Sequence, residues 1–436
     1  MALLPEVPGT DTGPVQAIPA GPNPGAPPAS PPSSKATLSA LLMSAFTLFA
    51  TYAGLIAILL PLHIMSISDT EEQQVARLGI VMTVSFIFTL FAQPMVGAFS
   101  DRTRSKFGRR TTWMLFGAFI GGIMLLGMGQ TKNLFFITLF WVVIQVALNA
   151  VQGPLSAVIP DRFPKERRGG ASAMMGIGMQ LGGAFGVVVA GQFADNFGMG
   201  YAVFGILVIV FTVLFAILNK DWSSKEAMVD PWNWSAFIKG FWVSPKEHPD
   251  FGWAFAARFL LMLGYFGVTS YQLYLLTYYI GMSKEEATAA VVTLTLVAFV
   301  PTLLAIGLSG WWSDKVGRRK IFIYVASAIL AAGLAVPLFL PTMTGMIIMA
   351  IINGIGFGLY MSVDTALMTE VLPGGGDHAG KDLGLLNIAT NIPQAMSPAI
   401  AGFIILNMGG YSTLFIVAIV FVIIAAFAVV PIKAVR

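Results

Sequence analysis

The chain contains no cysteine among its 436 residues. Disulfide frameworks, thiol nucleophiles and thiolate metal sites are therefore excluded. Charge is scarce too: Asp, Glu, Lys and Arg make up 11% of the chain, where a soluble domain carries about 25%. Histidine occurs 3 times, as His63, His248 and His378. These sit near loops without metal-ligand spacing, so neither a metal nor a cofactor is expected. What fills the chain is apolar, 56% of all residues, with a mean hydropathy of +0.78. A protein with so little polar surface faces hydrocarbon over much of its area. The net charge of +4 does not point to nucleic acid, because the basic residues sit in short loops between apolar runs.

Residues 1–34 hold ten of the 25 prolines, interspersed with Gly, Ala and Ser. Such composition cannot bury enough surface to offset its ordering entropy, which predicts a disordered tail over residues 1–37. The tail lacks the basic start and apolar core of a cleaved signal. The first apolar run is expected to serve as the targeting signal and to stay in place.

A membrane-spanning helix needs about 20 mostly apolar residues. Twelve runs qualify: 38–62, 77–99, 112–129, 134–159, 170–193, 199–219, 251–280, 287–312, 321–340, 345–371, 384–406 and 411–432. They are called spans 1 to 12 below. No ten-residue alternation of the barrel kind is present, so the expected fold is an all-α membrane protein. The longest internal connection, 220–250, separates a six-helix set over 38–219 from a second over 251–436. Within it, Asp230-Pro231-Trp232 reads as a helix start, followed by Trp234, Phe237, Ile238, Phe241 and Trp242 at helical spacing. A short interfacial helix lying on the lipid headgroups is the expectation.

Twelve spans put both termini on one side. Of the 25 Lys and Arg residues, 21 fall on that side and three (Arg77, Lys132, Lys284) on the other, with Arg258 inside span 7. Positive charge collects in the cytoplasm, so both termini are expected there, in a plasma or bacterial inner membrane.

A motif occurs twice. After span 8 the chain reads Gly310, three residues, Asp314-Lys315, then Gly317-Arg318-Arg319. After span 2 it reads Gly97, three residues, Asp101-Arg102, then Gly108-Arg109-Arg110, with four extra residues before the second glycine. Each copy lies between the second and third span of its half. Further echoes follow: Pro160 ends span 4 and Pro373 ends span 10, while Gln180 and Gln394 stand ten residues into spans 5 and 11. Internal repeats of this kind mark transporters whose halves alternate around a central site. In each motif the glycine permits close helix approach. The aspartate accepts hydrogen bonds from a neighbouring helix, and the arginines reach a carboxylate elsewhere. Asp161 and Glu370, ending spans 4 and 10, are the expected partners. These residues form a candidate conformational gate, and their charges also set topology.

On these motifs the chain resembles the major facilitator superfamily across nearly all of residues 38–433. The longer first copy, SDRTRSKFGRR, resembles the glycoside–pentoside–hexuronide branch and its sucrose-transporter relatives. The resemblance implies two pseudo-symmetric six-helix bundles with spans 1, 4, 7 and 10 around a central cavity. Symporters of that branch carry aspartates on spans 1 and 2. Spans 1 and 2 here hold no acidic residue, which turns the expected coupling ion towards a proton before sodium.

Polar residues recur at helical spacing in several spans: Trp141, Gln145, Asn149 and Gln152 in span 4; Tyr265, Thr269 and Gln272 in span 7; Asn353 and Tyr360 in span 10; Gln180 in span 5; Asn387, Asn391 and Gln394 in span 11. Intramembrane polar groups face the bundle or a wet cavity, and helix–helix bonding competes with solute contact for any single one. As aligned stripes they are the expected solute pathway. Amides and aromatic rings suit a neutral polyhydroxylated molecule such as a sugar; a cavity for drugs would use the same aromatics.

Arg258 and Asp364 are the charges well inside the spans of the second half. At about 1.5 Å per residue they lie at similar depths, ~10–14 Å from their helix ends. Each alone costs ~2.5–3.5 kcal/mol near mid-membrane, which favours a pair. Asp364 is also the candidate proton carrier, although a permanent structural pair fits equally.

Gly375 to Asp382 has the spacing of a phosphate loop, but Asp replaces the magnesium-binding Ser or Thr and no strand precedes it. The expected function is therefore not enzymatic. It is secondary active transport of a small solute by alternating access, as proton-linked sugar-like uptake or, alternatively, as efflux of a drug or metabolite. A non-transporting receptor is a third possibility, and a monomer in the lipid bilayer is expected.

Overall fold

The computed structural model describes residues 35–221, 223–225, 246–371 and 379–434. Span 1 is α1 (Lys35–Gly54), a π-helical turn (Leu55–Leu59) and α2 (Leu60–Ser66). Spans 2 to 6 are α3 (Glu71–Arg102), α4 (Arg109–Met128), α5 (Leu134–Arg162), α6 (Lys165–Gly191) and α7 (Phe197–Leu218). Span 7 is α8 (Pro249–Ser270), α9 (Gln272–Tyr274) and a second π-helical turn (Leu275–Tyr279). Spans 8 to 12 are α10 (Lys284–Val316), α11 (Arg319–Phe339), α12 (Met343–Glu370), α13 (Ala379–Asn407) and α14 (Gly410–Ala428).

No strand occurs among the described residues. Eleven helices among them are long and apolar enough to cross a membrane. The twelfth, α13, has 29 residues and carries a shorter apolar stretch over Ile392–Asn407. Residues 35–37, expected in the tail, instead form the first turn of α1. The remaining tail, the expected interfacial helix near 230–242 and the 375–378 loop lie outside the described residues.

Several helices outrun their apolar runs. The α3 helix begins at Glu71 because the Thr70 side chain accepts from the Gln73 amide. In α10, Ser283 and Glu286 form a reciprocal capping box, satisfying amides that no helical carbonyl reaches. The last turn of α10 ends at Gly317, whose φ of +64° closes a left-handed cap. Hydropathy reads only the lipid-facing middle of a helix, whereas caps decide where it stops.

The packing repeats with the chain. In the first half α1 packs on α6 and α7, α5 on α3 and α4, and α4 on α7. In the second half α8 packs on α13 and α14, α12 on α10 and α11, and α11 on α14. Adding six to a span number converts each first-half pairing into a second-half one. Two further pairings cross between halves, α3 with α13 and α6 with α10, and the same rule exchanges them. The tightest approach has a sequence cause. Gly178, Gly182 and Gly186 of α6 face α1, where a Cβ would lie 2.4, 2.2 and 2.0 Å from the carbonyl oxygens of Leu42, Phe46 and Ala50. Without a hydrophobic drive between helices in lipid, such contact rests on small residues and van der Waals packing.

Candidate functional site

Both copies of the repeated motif lie at the end of the bundle where α1 begins and α14 ends. In the first copy, Asp161 Oδ2 accepts from Arg109 Nη2 at 3.1 Å and from Arg110 Nε at 2.9 Å. Asp101 Oδ1 lies 2.6 Å from Arg110 Nη2 and 3.9 Å from Arg109 Nη1. Two arginines and two carboxylates thus tie α3, α4 and α5 together. Arg102, half-buried, is the last residue of α3. The segment after α7 completes the cluster: Asp221 Oδ2 accepts from the Arg110 amide at 3.2 Å, and Ser224 Oγ donates to the Thr103 carbonyl at 2.7 Å.

The second copy has an ion pair of the same kind. Arg319 Nη2 meets Glu370 Oε1 at 2.9 Å, while Lys315 and Arg318 are exposed. The arginine that reaches Asp161 or Glu370 is therefore the last of the motif in both halves, with Arg109 joining it in the first. The side chain of Asp314 lies outside those described. The two motif glycines differ. A Cβ on Gly310 would lie 3.1 Å from Ser362 Oγ of α12, the close helix approach expected of it, whereas one on Gly97 would meet nothing within 4 Å among the described residues.

The expected pathway residues divide by burial. Gln145, Gln152, Gln180, Tyr265, Thr269 and Gln272 are half-buried, and Gln394 is exposed. Gln145 and Gln152 share a face of α5, being seven residues apart. Gln180 lies on the face of α6 that carries Gly191, where a Cβ would touch Val292 of the second half at 2.7 Å. Tyr265 stacks on Phe357 with centroids 4.2 Å apart and planes within 9°.

Trp141, Asn149, Asn353 and Tyr360 are instead 1–6% exposed. Asn149 Nδ2 donates to the Gln145 carbonyl at 2.8 Å. Asn353 abuts Gly333 of α11, where a Cβ would come within 2.2 Å of its Oδ1. These four are enclosed by neighbouring helices in this arrangement, since sequence spacing marks a polar stripe without saying which neighbour it meets. Asn387 and Asn391 lie on α13, their side chains outside those described. The stripe reading passed over α1, where Phe46, Phe49 and Tyr52 recur, all half-buried. Their 3-residue recurrence was the available signal.

Arg258 and Asp364 do pair, Nε to Oδ2 at 3.2 Å, with side chains 6% and 4% exposed. Tyr360, one turn away on α12, donates to Asp364 Oδ1 at 2.9 Å. Beside the pair lies a small apolar cavity lined by Ala254, Ile323, Leu367, Ala425 and Val429. The pair is thus enclosed by α8, α11, α12 and α14.

The opposite end of the bundle is clasped across the halves by one span. Tyr271 Oη shares its one proton between two carbonyls, Val75 of the first half at 3.2 Å and Pro398 of its own half at 3.1 Å. Tyr274 donates to the Pro61 carbonyl at 3.2 Å, and Tyr278 donates to Gln74 Oε1. The Pro61 carbonyl lies just past the π turn of span 1, where the regular helical bonding is interrupted. Together with the motif ion pairs confined to each half, this clasp leaves the bundle joined at the far end.

The model of the Major Facilitator Superfamily matches residues 40–300 and 254–435. The multidrug resistance protein MdtG of Yersinia enterocolitica is 28% identical over 193 residues, covering 40% of this chain and 42% of that protein. The chain thus spans less than half the length of that relative. The cis,cis-muconate transport protein of Acinetobacter baylyi is 24% identical over 326 residues, 73% of this chain and 76% of its own. Among solved structures, a D-xylose–proton symporter superposes with a TM-score of 0.68 at 14% identity, covering 90% of this chain and 96% of that one.

Proposed function

The chain belongs to the major facilitator superfamily, membrane transporters rather than enzymes, and from that premise we propose that it carries a small neutral solute by alternating access. The observation that carries this reading is the asymmetry of the bundle's two ends. Tyrosines clasp the halves at one end, while at the other the described ion pairs stay within each half. Between these ends lie half-buried amides and rings, Gln145, Gln152, Gln180, Thr269 and Tyr265. Amides donate and accept at once, which suits hydroxyl groups, and flat rings pack against sugar faces. The substrate class is therefore a sugar-like molecule.

The distribution of Lys and Arg supports cytoplasmic termini, in which case the molecule faces inward here. The coupling ion is a proton, carried by Asp364. Protonation would neutralise a carboxylate that Arg258 and Tyr360 hold and would loosen α8 from α12. The two halves, 38–219 and 251–436, act as the moving bodies, and the chain works as a monomer.

The match to MdtG favours a second reading, efflux of a drug or metabolite. Counterflow of radiolabelled sugars in proteoliposomes separates the two. Saturable sugar exchange supports uptake. No exchange, with drug hypersensitivity on deletion, supports efflux.

A further inference from the structure

The repeat offset gives span 1 a partner in span 7. Asp101 and Asp314 stand 213 positions apart, and so do the helix caps Thr70 and Ser283. Applied to the middle of the bilayer, the same offset joins Gly54 to Gly267. Packing supports this equivalence independently. A Cβ on Gly54 would meet the Gly186 carbonyl of α6 at 2.7 Å and Phe204 of α7 at 2.6 Å. A Cβ on Gly267 would meet Ala401 of α13 at 3.7 Å and Leu414 of α14 at 3.9 Å. Each glycine therefore seats its span against the fifth and sixth spans of its own half.

Two residues before each glycine stands a tyrosine, Tyr52 and Tyr265. Two positions on a helix turn a side chain by about 200°, so both rings point away from their own half's fifth and sixth spans. Tyr265 accordingly stacks on Phe357. Tyr52 lies edge-on to Phe49, centroids 6.0 Å apart. Its hydroxyl is buried and has no hydrogen-bond partner among the described residues. Just beyond Tyr52, the π turn Leu55–Leu59 meets α8 and α9 of the other half. Tyr52 and Tyr265 stand nine residues before Pro61 and Tyr274, which bond to each other across the halves.

We propose that Tyr52 and Tyr265 form a paired clamp, one from each half, whose hydroxyls orient the solute at the midplane. The inference rests on the transport reading above and adds a residue that polar-stripe spacing did not supply. A buried, unpaired phenol is costly unless something completes its bonding. A hydroxylated neutral solute can donate to it and accept from it. Apolar rings on either side exclude water from that bond, and the symmetric placement lets each half keep one contact as the halves rock.

The chain's lack of cysteine allows a test independent of solute identity. Single Tyr52→Cys and Tyr265→Cys variants in proteoliposomes are treated with a charged methanethiosulfonate, with the core position Leu48→Cys as control. Labelling of both at least ten-fold faster than the control supports the placement; rates equal to the control overturn it. Tyr52→Phe and Tyr265→Phe are then compared in counterflow of radiolabelled D-xylose, D-glucose and sucrose. A rise in half-saturation of about five-fold, the loss of one hydrogen bond, with maximal rate within two-fold, supports the clamp. Wild-type exchange with unchanged half-saturation in both variants overturns the clamp and leaves the transport reading intact. Absence of wild-type exchange for all three sugars overturns the sugar reading, whatever the labelling shows.

Discussion

Gly108 holds the place that the Asp221 carboxylate occupies: a Cβ on Gly108 would lie 2.3 Å from Asp221 Cγ. The glycine has φ +90° and ψ 161°, a region essentially reserved for glycine. It therefore serves two purposes, turning the motif loop into α4 and admitting the acid that bonds the Arg110 amide.

Gly108→Ala is expected to destabilise the protein by about 1–3 kcal/mol from backbone strain, with a further loss as Asp221 is displaced. Asp221→Ala, which removes only the carboxylate, should cost less. Thermal unfolding in detergent checks the order. Equal stability of Gly108→Ala and wild type would refute the cradle.

The motif's carboxylates are unequal. Asp161 is held by two arginines and is 24% exposed, whereas Glu370 meets Arg319 among the described residues and is 41% exposed. Asp161→Asn should slow transport more than Glu370→Gln, both inserting normally. Asp101→Asn should also impair it, through the 2.6 Å contact to Arg110. Wild-type rates in all three variants would mean that these charges set only topology.

Tyr271→Phe removes the hydroxyl that reaches across the halves to the Val75 carbonyl of α3. At about 1 kcal/mol net for that bond, the far-end-open state should gain roughly 5-fold in population. A single cysteine at Thr269, alkylated by an impermeant reagent from the far side, reports that shift. Unchanged labelling speaks against the clasp as a gate.

Asp364→Asn keeps the shape of the buried site but removes its charge, leaving Arg258 with a neutral neighbour. Loss of pH-driven accumulation with counterflow retained is the expected outcome; accumulation against a gradient in this variant rules Asp364 out as proton carrier. Replacing both partners, Arg258→Met with Asp364→Leu, should preserve folding, since a buried ion pair often yields to apolar packing without loss. Severe unfolding of the double variant would show the pair to be structural; a single replacement does not test this, since removing one partner alone strands a buried charge at about 3–5 kcal/mol.

The sequence alone determined the class of fold. Bilayer thickness demands apolar runs of a certain length, and helices satisfy their own backbone within each run. Those facts are local, so spans, repeat and motif were legible from composition and order. The acids met by the motif arginines, Asp161 and Glu370, were legible as well, because each ends a span on the same side. Which polar residues share a cavity was decided only by tertiary packing. Asn353 and Gln145 look alike in sequence, yet one abuts Gly333 and the other stays half-exposed. Helical spacing fixes the angle between side chains on one helix but not the neighbour that the angle points to. The tyrosine clasp, Asp221 at Gly108 and the enclosure of Arg258 with Asp364 each join residues distant in sequence. Such contacts arise from how helices lie against one another, and hydropathy carries no record of that.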